Sequence, residues 1–194
     1  MSARGILIVL TGPSGVGKDT VLCELFSLDS TLVYCVSYTT RAPRPGEVDG
    51  VAYWFVDEAT FRAMIDRDEF FEWSTVYGEL KGRTFESVKG AIESGQDTVI
   101  KIDVQGAEKI RGRLDDDTIY VFLLPPSTEA LEQRLVDRAT EDPASLQARR
   151  EQAISEMALK DTYDHQVVND DAKRAAQEIE SIIQAARASR RESA

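Results

Sequence analysis

The sequence predicts an α/β protein with a parallel sheet flanked by helices, and three observations carry that reading. An apolar run at 5–11 leads straight into a glycine-rich turn and a helical stretch. Later apolar runs at 98–103, 119–124 and 165–168 alternate with helical patterns, the order a parallel sheet needs because each return crossover is a helix. The run at 5–11 is also continuously apolar, which marks a strand covered on both faces. The expected architecture is three-layer α/β/α. Two segments, 37–86 and 127–160, do not fit the alternation. They are expected to form an inserted mixed α+β lobe and a helical lid on a core of about 1–36, 87–126 and 161–194, all within one domain.

Each element has a local signal. A helix is expected over 17–27 and a short strand over 32–36. Pro43, Pro45, Gly46 and Gly50 then separate two β-like stretches at 37–40 and 51–56, because proline and glycine favour turns over ladders. Asp57 suits the cap of a helix to about 66, since its carboxylate can accept from the free amides of the first turn. Residues 70–73 read as extended, 84–94 as an amphipathic helix ended by Gly95, and 106–113 as a helix. Pro125 and Pro126 stop the strand at 119–124, and Ser127 or Thr128 can cap a helix to about 138. After a polar break at 139–145 come a helix to about 160, the strand at 165–168 and a terminal helix from 170. Residues 187–194 are expected to fray.

Composition excludes several classes. A chain of 194 residues, 42% apolar and 29% charged, matches ordinary globular proteins. No apolar run approaches the roughly 20 residues that span a bilayer. The net charge of −11 argues against binding nucleic acid polymers. The basic residues nevertheless cluster: Arg41, Arg44, Lys81, Arg83, Arg134, Arg138, Arg149 and Arg150 lie in the two inserted segments, a pattern suited to a small polyanion. Cys23 and Cys35 have no metal-ligand spacing and read as small core hydrophobes. A strand beginning at 5 leaves no room for a cleaved signal peptide, so a cytoplasmic location without membrane association is expected. The lone histidine, His165, opens a strand and reads as structural.

The glycine-rich turn carries chemistry. Gly12-Pro13-Ser14-Gly15-Val16-Gly17-Lys18 has the spacing of a P-loop. Between a strand and a helix, this spacing turns successive backbone N–H groups and a helix N-terminus toward one anion, with the lysine reaching the transferring phosphates. Ser14, Gly15, Val16, Gly17, Lys18, Asp19 and Thr20 are the expected triphosphate contacts. Asp19 stands where a Ser or Thr usually holds magnesium. Thr20 is the better phosphate contact, and Mg²⁺ is expected to be held by phosphate oxygens and water, with Thr20 reaching it mostly through water.

The lobe is more specific still. Ser37-Tyr38-Thr39-Thr40-Arg41-Ala42-Pro43-Arg44-Pro45-Gly46-Glu47 is followed by Asp49, Gly50, Tyr53 and Phe55. Arg41 and Arg44, on a proline-stiffened stretch, can grip one phosphate from two sides, and Tyr53 can add a hydroxyl. Together with Glu69-Phe70-Phe71-Glu72-Trp73, Ile102-Asp103-Val104-Gln105-Gly106-Ala107, Pro125-Pro126-Ser127 and Val168-Asn169-Asp170, this sequence resembles the guanylate kinases over about residues 5–185. The resemblance implies transfer of the ATP γ-phosphoryl group to GMP or dGMP, with Mg²⁺ accompanying ATP. The assembly is left as a monomer or a homodimer. It further implies that Ser37 and Glu72 hydrogen-bond the guanine, Glu72 accepting from N1–H and the 2-amino group. Arg41, Arg44 and Tyr53 would hold the GMP phosphate, Asp103 would lie near the guanine or the ion, and Asn169 and Asp170 would border the adenine. Arg138 and Arg149 would close over the transferring group. Lys18, Arg41, Arg44, Arg138 and Arg149 would then catalyse by positioning and neutralisation, without a general base.

One stretch departs from the family pattern. Where guanylate kinases have Gly-x-Tyr-Tyr-Gly-Ser/Thr, this chain reads Gly78-Glu79-Leu80-Lys81-Gly82-Arg83. Lys81 replaces a tyrosine that donates to the GMP phosphate and can serve as a point charge. Arg83 replaces a hydroxyl near guanine O6 and can either reach O6 or turn outward. The lid motif Arg-Gly-Thr is here Arg138-Ala139-Thr140. Two other readings remain. One is a related kinase acting on another phosphorylated acceptor such as ribose 1,5-bisphosphate, favoured by Gly-Lys-Asp at 17–19. The other is a non-catalytic guanylate-kinase-like binding module, disfavoured because the P-loop lysine and the arginines are retained.

Overall fold

The structure is a computed structural model and describes residues 4–76, 78–111, 118–137 and 143–193. In chain order the elements are β1 (Leu7–Thr11), α1 (Lys18–Leu28), β2 (Val33–Tyr34), β3 (Tyr38–Thr39), β4 (Trp54–Phe55), α2 (Glu58–Asp66), β5 (Phe70–Val76) and β6 (Glu79–Thr84). They continue with α3 (Phe85–Glu93), β7 (Thr98–Lys101), α4 (Val104–Ile110), β8 (Thr118–Leu124), α5 (Thr128–Asp137), α6 (Pro143–Met157), β9 (His165–Val168) and α7 (Ala172–Ser193). One sheet has the order β2-β7-β1-β8-β9, with β2–β7 and β8–β9 parallel. The expected α/β class with a parallel sheet and an inserted mixed lobe is what the chain forms.

The chain divides into two compact units. The first comprises Met1–Leu7, Val33–Ile100 and Gln105–Asp117 and holds a second sheet of order β4-β3-β6-β5. In that sheet β6 runs antiparallel to both β3 and β5, while β3 and β4 are parallel. β6 is not foreseen from the sequence, because its charged residues obscure the alternation of a strand. Gly82 permits the close pairing: a Cβ there would lie 2.6 Å from the carbonyl oxygen of Glu72. The Asp57 carboxylate accepts from the Thr60 amide at 2.6 Å, capping α2 as expected. On that helix Phe61 and Met64, three residues apart and so on one face, pack with Phe70 and Leu80. The Phe61 and Phe70 rings stack 4.3 Å apart.

The second unit comprises Ile8–Leu32, Lys101–Val104 and Thr118–Ala194. β1 is buried throughout, as its unbroken apolarity requires. Leu131, Leu135 and Ala153 join α5 to α6, and α1 packs on α7. The expected fraying at 187–194 does not occur within the described residues, because α7 continues to Ser193. Arg187 anchors it, donating to the Asp29 carboxylate at 2.7 Å and to the Thr31 hydroxyl at 3.3 Å. Cys35 is buried as expected, but Cys23 is exposed on α1 and is no core residue. His165 is exposed at the start of β9. No described helix is long and apolar enough to cross a membrane.

Replacing Phe61 with Ala removes the centre of the first unit's small core. The expected loss of stability is about 3–5 kcal/mol, read from urea unfolding. A loss below about 1 kcal/mol would show that this cluster does not hold the lobe together.

Candidate active site

The P-loop is built from its rear. Gly17 caps α1 in the left-handed region, with φ 99° and ψ 25°, where a side chain is strained. A Cβ at this position would also lie 2.5 Å from Nδ2 of Asn169. The amides of such a loop face forward, so its carbonyls need partners behind. Asn169 Nδ2 donates to the Val16 carbonyl at 2.7 Å, and Arg134 Nη1 donates to the same oxygen at 3.0 Å. The Lys18 ammonium donates to the carbonyls of Gly12 at 2.6 Å and Pro13 at 3.1 Å.

Electrostatics at the loop centre on Lys18. Desolvation lowers its pKa from 10.5 to about 8, against the opposing pull of the Glu156 carboxylate. Lys101 adds to the lowering, while Asp19 and Asp103 oppose it. Glu156, on α6, is buried; its Oε2 accepts from the Ser14 amide at 3.3 Å and its Oε1 from Gln152 Nε2 at 2.9 Å. Burial pushes its carboxyl above the usual carboxylate range, although Gln152 and Lys18 pull the other way. Asp19 is exposed and ion-paired with Lys101, which offsets its negative charge beside the loop. Thr20 is exposed next to it. Among the described residues no cluster of three metal-ligating side chains occurs. The hard oxygens of Asp19, Thr20 and Asp103 without a cage fit a cation that keeps most of its water and is held chiefly by phosphate, as magnesium is.

The first unit brings a second set together. The Arg41 guanidinium meets Glu47 with both carboxylate oxygens 2.8 Å away, and donates to the Ala42 carbonyl at 2.7 Å. It lies 5.5 Å from the Tyr53 ring centroid, and the Lys81 ammonium lies 5.7 Å from the same centroid. Arg41, Tyr53 and Lys81 therefore form one cationic group around an aromatic ring. The Arg44 side chain is exposed, while its amide donates to Glu47 at 2.7 Å. That amide and the Arg41 guanidinium hold the Glu47 carboxyl below its ordinary range.

The residues expected at the base lie in this same unit. Glu72 and Arg83 are paired across β5 and β6. Ser37 is buried and precedes Tyr38, whose partner on β6 is Gly82. Arg83 does not turn outward: it is 2% exposed, donating from Nη1 to Glu72 Oε1 at 2.8 Å and from Nε to the Cys35 carbonyl at 3.0 Å. Outward placement fails because the buried Glu72 carboxylate draws the guanidinium in.

A family model described as guanylate kinase matches residues 4–186. The guanylate kinase of Halalkalibacterium halodurans is 42% identical over 182 residues, covering 94% of this chain and 89% of the relative. That of Streptococcus agalactiae serotype III is 43% identical over 186 residues, covering 95% and 88%. The chain belongs to the guanylate kinase family. Among solved structures, the crystal structure of guanylate kinase from Anaplasma phagocytophilum superposes with a TM-score of 0.76 at 30% identity, covering 94% of this chain and 86% of that one.

Several residues of this guanylate kinase family member take places that sequence reasoning had not given them. Glu156, Lys101, Arg134 and Glu47 all touch expected site residues. Arg134 had a signal, as one of the clustered basic residues, and Glu47 as the end of the motif that opens at Ser37. Asn169 turns its amide onto the loop backbone, and Asp170 is exposed and paired with Arg174 at 2.7 Å. Arg149 lies half-buried on α6, seven residues before Glu156 and so on the same helical face. Arg138, with Ala139 and Thr140, lies outside the described residues.

A lysine whose folded pKa is depressed binds protons less well than in the unfolded chain. Stability therefore rises with pH from about 8 to 10.5. A Lys18→Met protein lacks this titration but also the bonds to Gly12 and Pro13, so any advantage over wild type is greatest near neutrality. That advantage is expected to shrink by about 3 kcal/mol as pH rises through this window, measured by denaturant unfolding at several pH values. A pH-independent difference would place the Lys18 ammonium in a solvated setting.

Proposed function

We propose that this chain transfers the γ-phosphoryl group of ATP to GMP or dGMP, giving ADP and GDP or dGDP. The observation that carries this reading is the burial of both Glu72 and Ser37 in the first unit, together with the cationic group of Arg41, Tyr53 and Lys81. A fixed carboxylate accepts from the N1–H and 2-amino donors of guanine. Adenine has neither donor at those positions, so the buried carboxylate would gain no bond from it beyond the one to Arg83, a basis for rejection. Arg41, with Lys81, Tyr53 and Arg44, holds the GMP phosphate; Arg41 exchanges Glu47 for it. Gly82 keeps the strands close enough for Glu72 and Arg83 to meet.

On the donor side, Lys18 and the amides of 14–19 cradle the ATP phosphates, the Ser14 amide exchanging Glu156 for phosphate, with Thr20 as an added hydroxyl. Magnesium supplies neutralisation of charge on the phosphates when bound. Asp103 acts on the ion side, since its charge is felt at Lys18, and Asn169 and Asp170 border the adenine. A phosphate oxygen of GMP, already an anion, forms the new P–O bond as the bond to the ADP oxygen breaks, so no proton needs to be removed. Arg149 on α6, with Arg138, neutralises the transferring group. The segment 37–86 is the acceptor lobe, 127–160 the lid, and the cytoplasm, where ATP and GMP are found, the place of action.

ADP release coupled to an indicator reaction, with GMP, dGMP, AMP and ribose 1,5-bisphosphate as acceptors, tests this reading. GMP and dGMP are expected to turn over at least about 100-fold more efficiently than AMP, and the sugar bisphosphate not at all. No turnover with GMP sinks the proposal. Glu72→Gln is expected to raise the KM for GMP by about 10- to 100-fold while that for ATP moves less than about twofold. Equal changes in both would remove Glu72 from the base site. Lys18→Ala is expected to lower kcat by about 1000-fold or more in a protein that still unfolds cooperatively.

A further inference from the structure

We infer that Arg83 is a positioning residue for base recognition: held behind Glu72, it keeps that carboxylate ionised and aimed, and so sustains selection of a guanine acceptor. The inference rests on Glu72 reading the base. Arg83 is the bulkiest fully buried side chain among the described residues, and its Nη1 donates to Glu72, so the inferred effect on the base runs through that carboxylate. The bonds that hold its planar fork include Nε to the Cys35 carbonyl at 3.0 Å and Nη1 to Glu72 Oε1 at 2.8 Å. The first anchors the guanidinium to backbone, and the second transmits that anchorage to the carboxylate. An ammonium, a point charge, has no rigid fork with which to reproduce both bonds.

The strands are built around this pair. The β5–β6 register shifts between Phe70 and Glu72, setting Glu72 opposite Arg83. Gly82, next to Arg83, brings the β6 backbone to the Glu72 carbonyl closely enough that a Cβ would meet it at 2.6 Å. Tyr34 and Cys35 also face the pair electrostatically, and of these neighbours the guanidinium is the cation. A carboxyl this buried, left without its cation, favours the neutral form. It would then present a donor where guanine also has donors, and the preference for GMP would fade as pH falls.

The test is the KM for GMP, and kcat, from about pH 6 to about pH 8.5 for wild type, Arg83→Met, Arg83→Lys and Glu72→Gln. Dividing each KM by that of wild type cancels the titration of GMP itself. For Arg83→Met the ratio is expected to climb about tenfold or more toward the acid end, with kcat at saturating GMP within about threefold of wild type. Arg83→Lys, which keeps the charge, is expected to give a raised ratio that does not vary with pH. A flat ratio in Arg83→Met, where Glu72→Gln does weaken GMP binding, overturns the role of Arg83. A ratio near one in Glu72→Gln instead overturns the assignment of Glu72 to the base. If Arg83→Met does not fold, carboxyl-¹³C resonances of the wild-type protein decide, with Glu72 identified by the signal lost in Glu72→Gln. A Glu72 carboxylate that stays ionised over the same range supports the inference, and one that takes a proton within it overturns it.

Discussion

The carbonyl oxygen of Val16 is the constraint on which the second unit depends. A loop that aims its amides at an anion must turn its carbonyls away from solvent, and a buried carbonyl left unpaired is costly. Asn169 and Arg134 satisfy this one from behind. They belong to the end of β9 and to α5, so the loop's shape is fixed by elements far along the chain. Gly17 follows from the same contact, since any side chain there would strike the Asn169 amide. With its backbone held, the loop can keep a lysine ammonium in a desolvated setting that lowers its pKa to about 8.

Cations elsewhere in this acidic protein are stored in pairs. Arg41 is matched with Glu47, Lys101 with Asp19 and Arg83 with Glu72. The pairs are not equivalent. Asp19 is largely exposed, so its pairing contributes little to stability and serves mainly to offset charge near the loop. Arg83 and Glu72 are both removed from water, so each requires the other. Arg41 and Glu47 lie between these extremes: half-shielded from water, they meet through Nη2 alone, while Nη1 is held by the Ala42 carbonyl.

The P-loop was legible because its signal is local: seven adjacent residues between a strand and a helix. Strands β1 and β8 of the parallel sheet were legible for a similar reason, their apolar runs being unbroken. β6 was not, because Lys81 and Arg83 in a six-residue strand mask its alternation, and a buried arginine makes sense only once Glu72, eleven residues away, is known to face it. Glu156 was invisible for the same reason on a longer scale, lying 142 residues from the Ser14 amide it accepts from. Cys23 was misread because apolar neighbours in sequence need not be neighbours on a helix, and α1 turns it to solvent. The end of α7 was misread because its polar composition concealed the clasp between Arg187 and Asp29.

The distance along the chain between Val16 and its partner also orders events during synthesis. The loop and α1 emerge from the ribosome early, but Asn169 follows 153 residues later, and Arg187 follows Asp29 by 158. Contacts of such separation are slow to form because the intervening chain must first be ordered. The pieces needed for the first unit's own sheet, residues 33–100, are made well before that. The nascent chain thus acquires the lobe with Glu72 and Arg83 while its glycine-rich loop still lacks its rear support. The loop gains that support only after Arg134 and Asn169 have both been made.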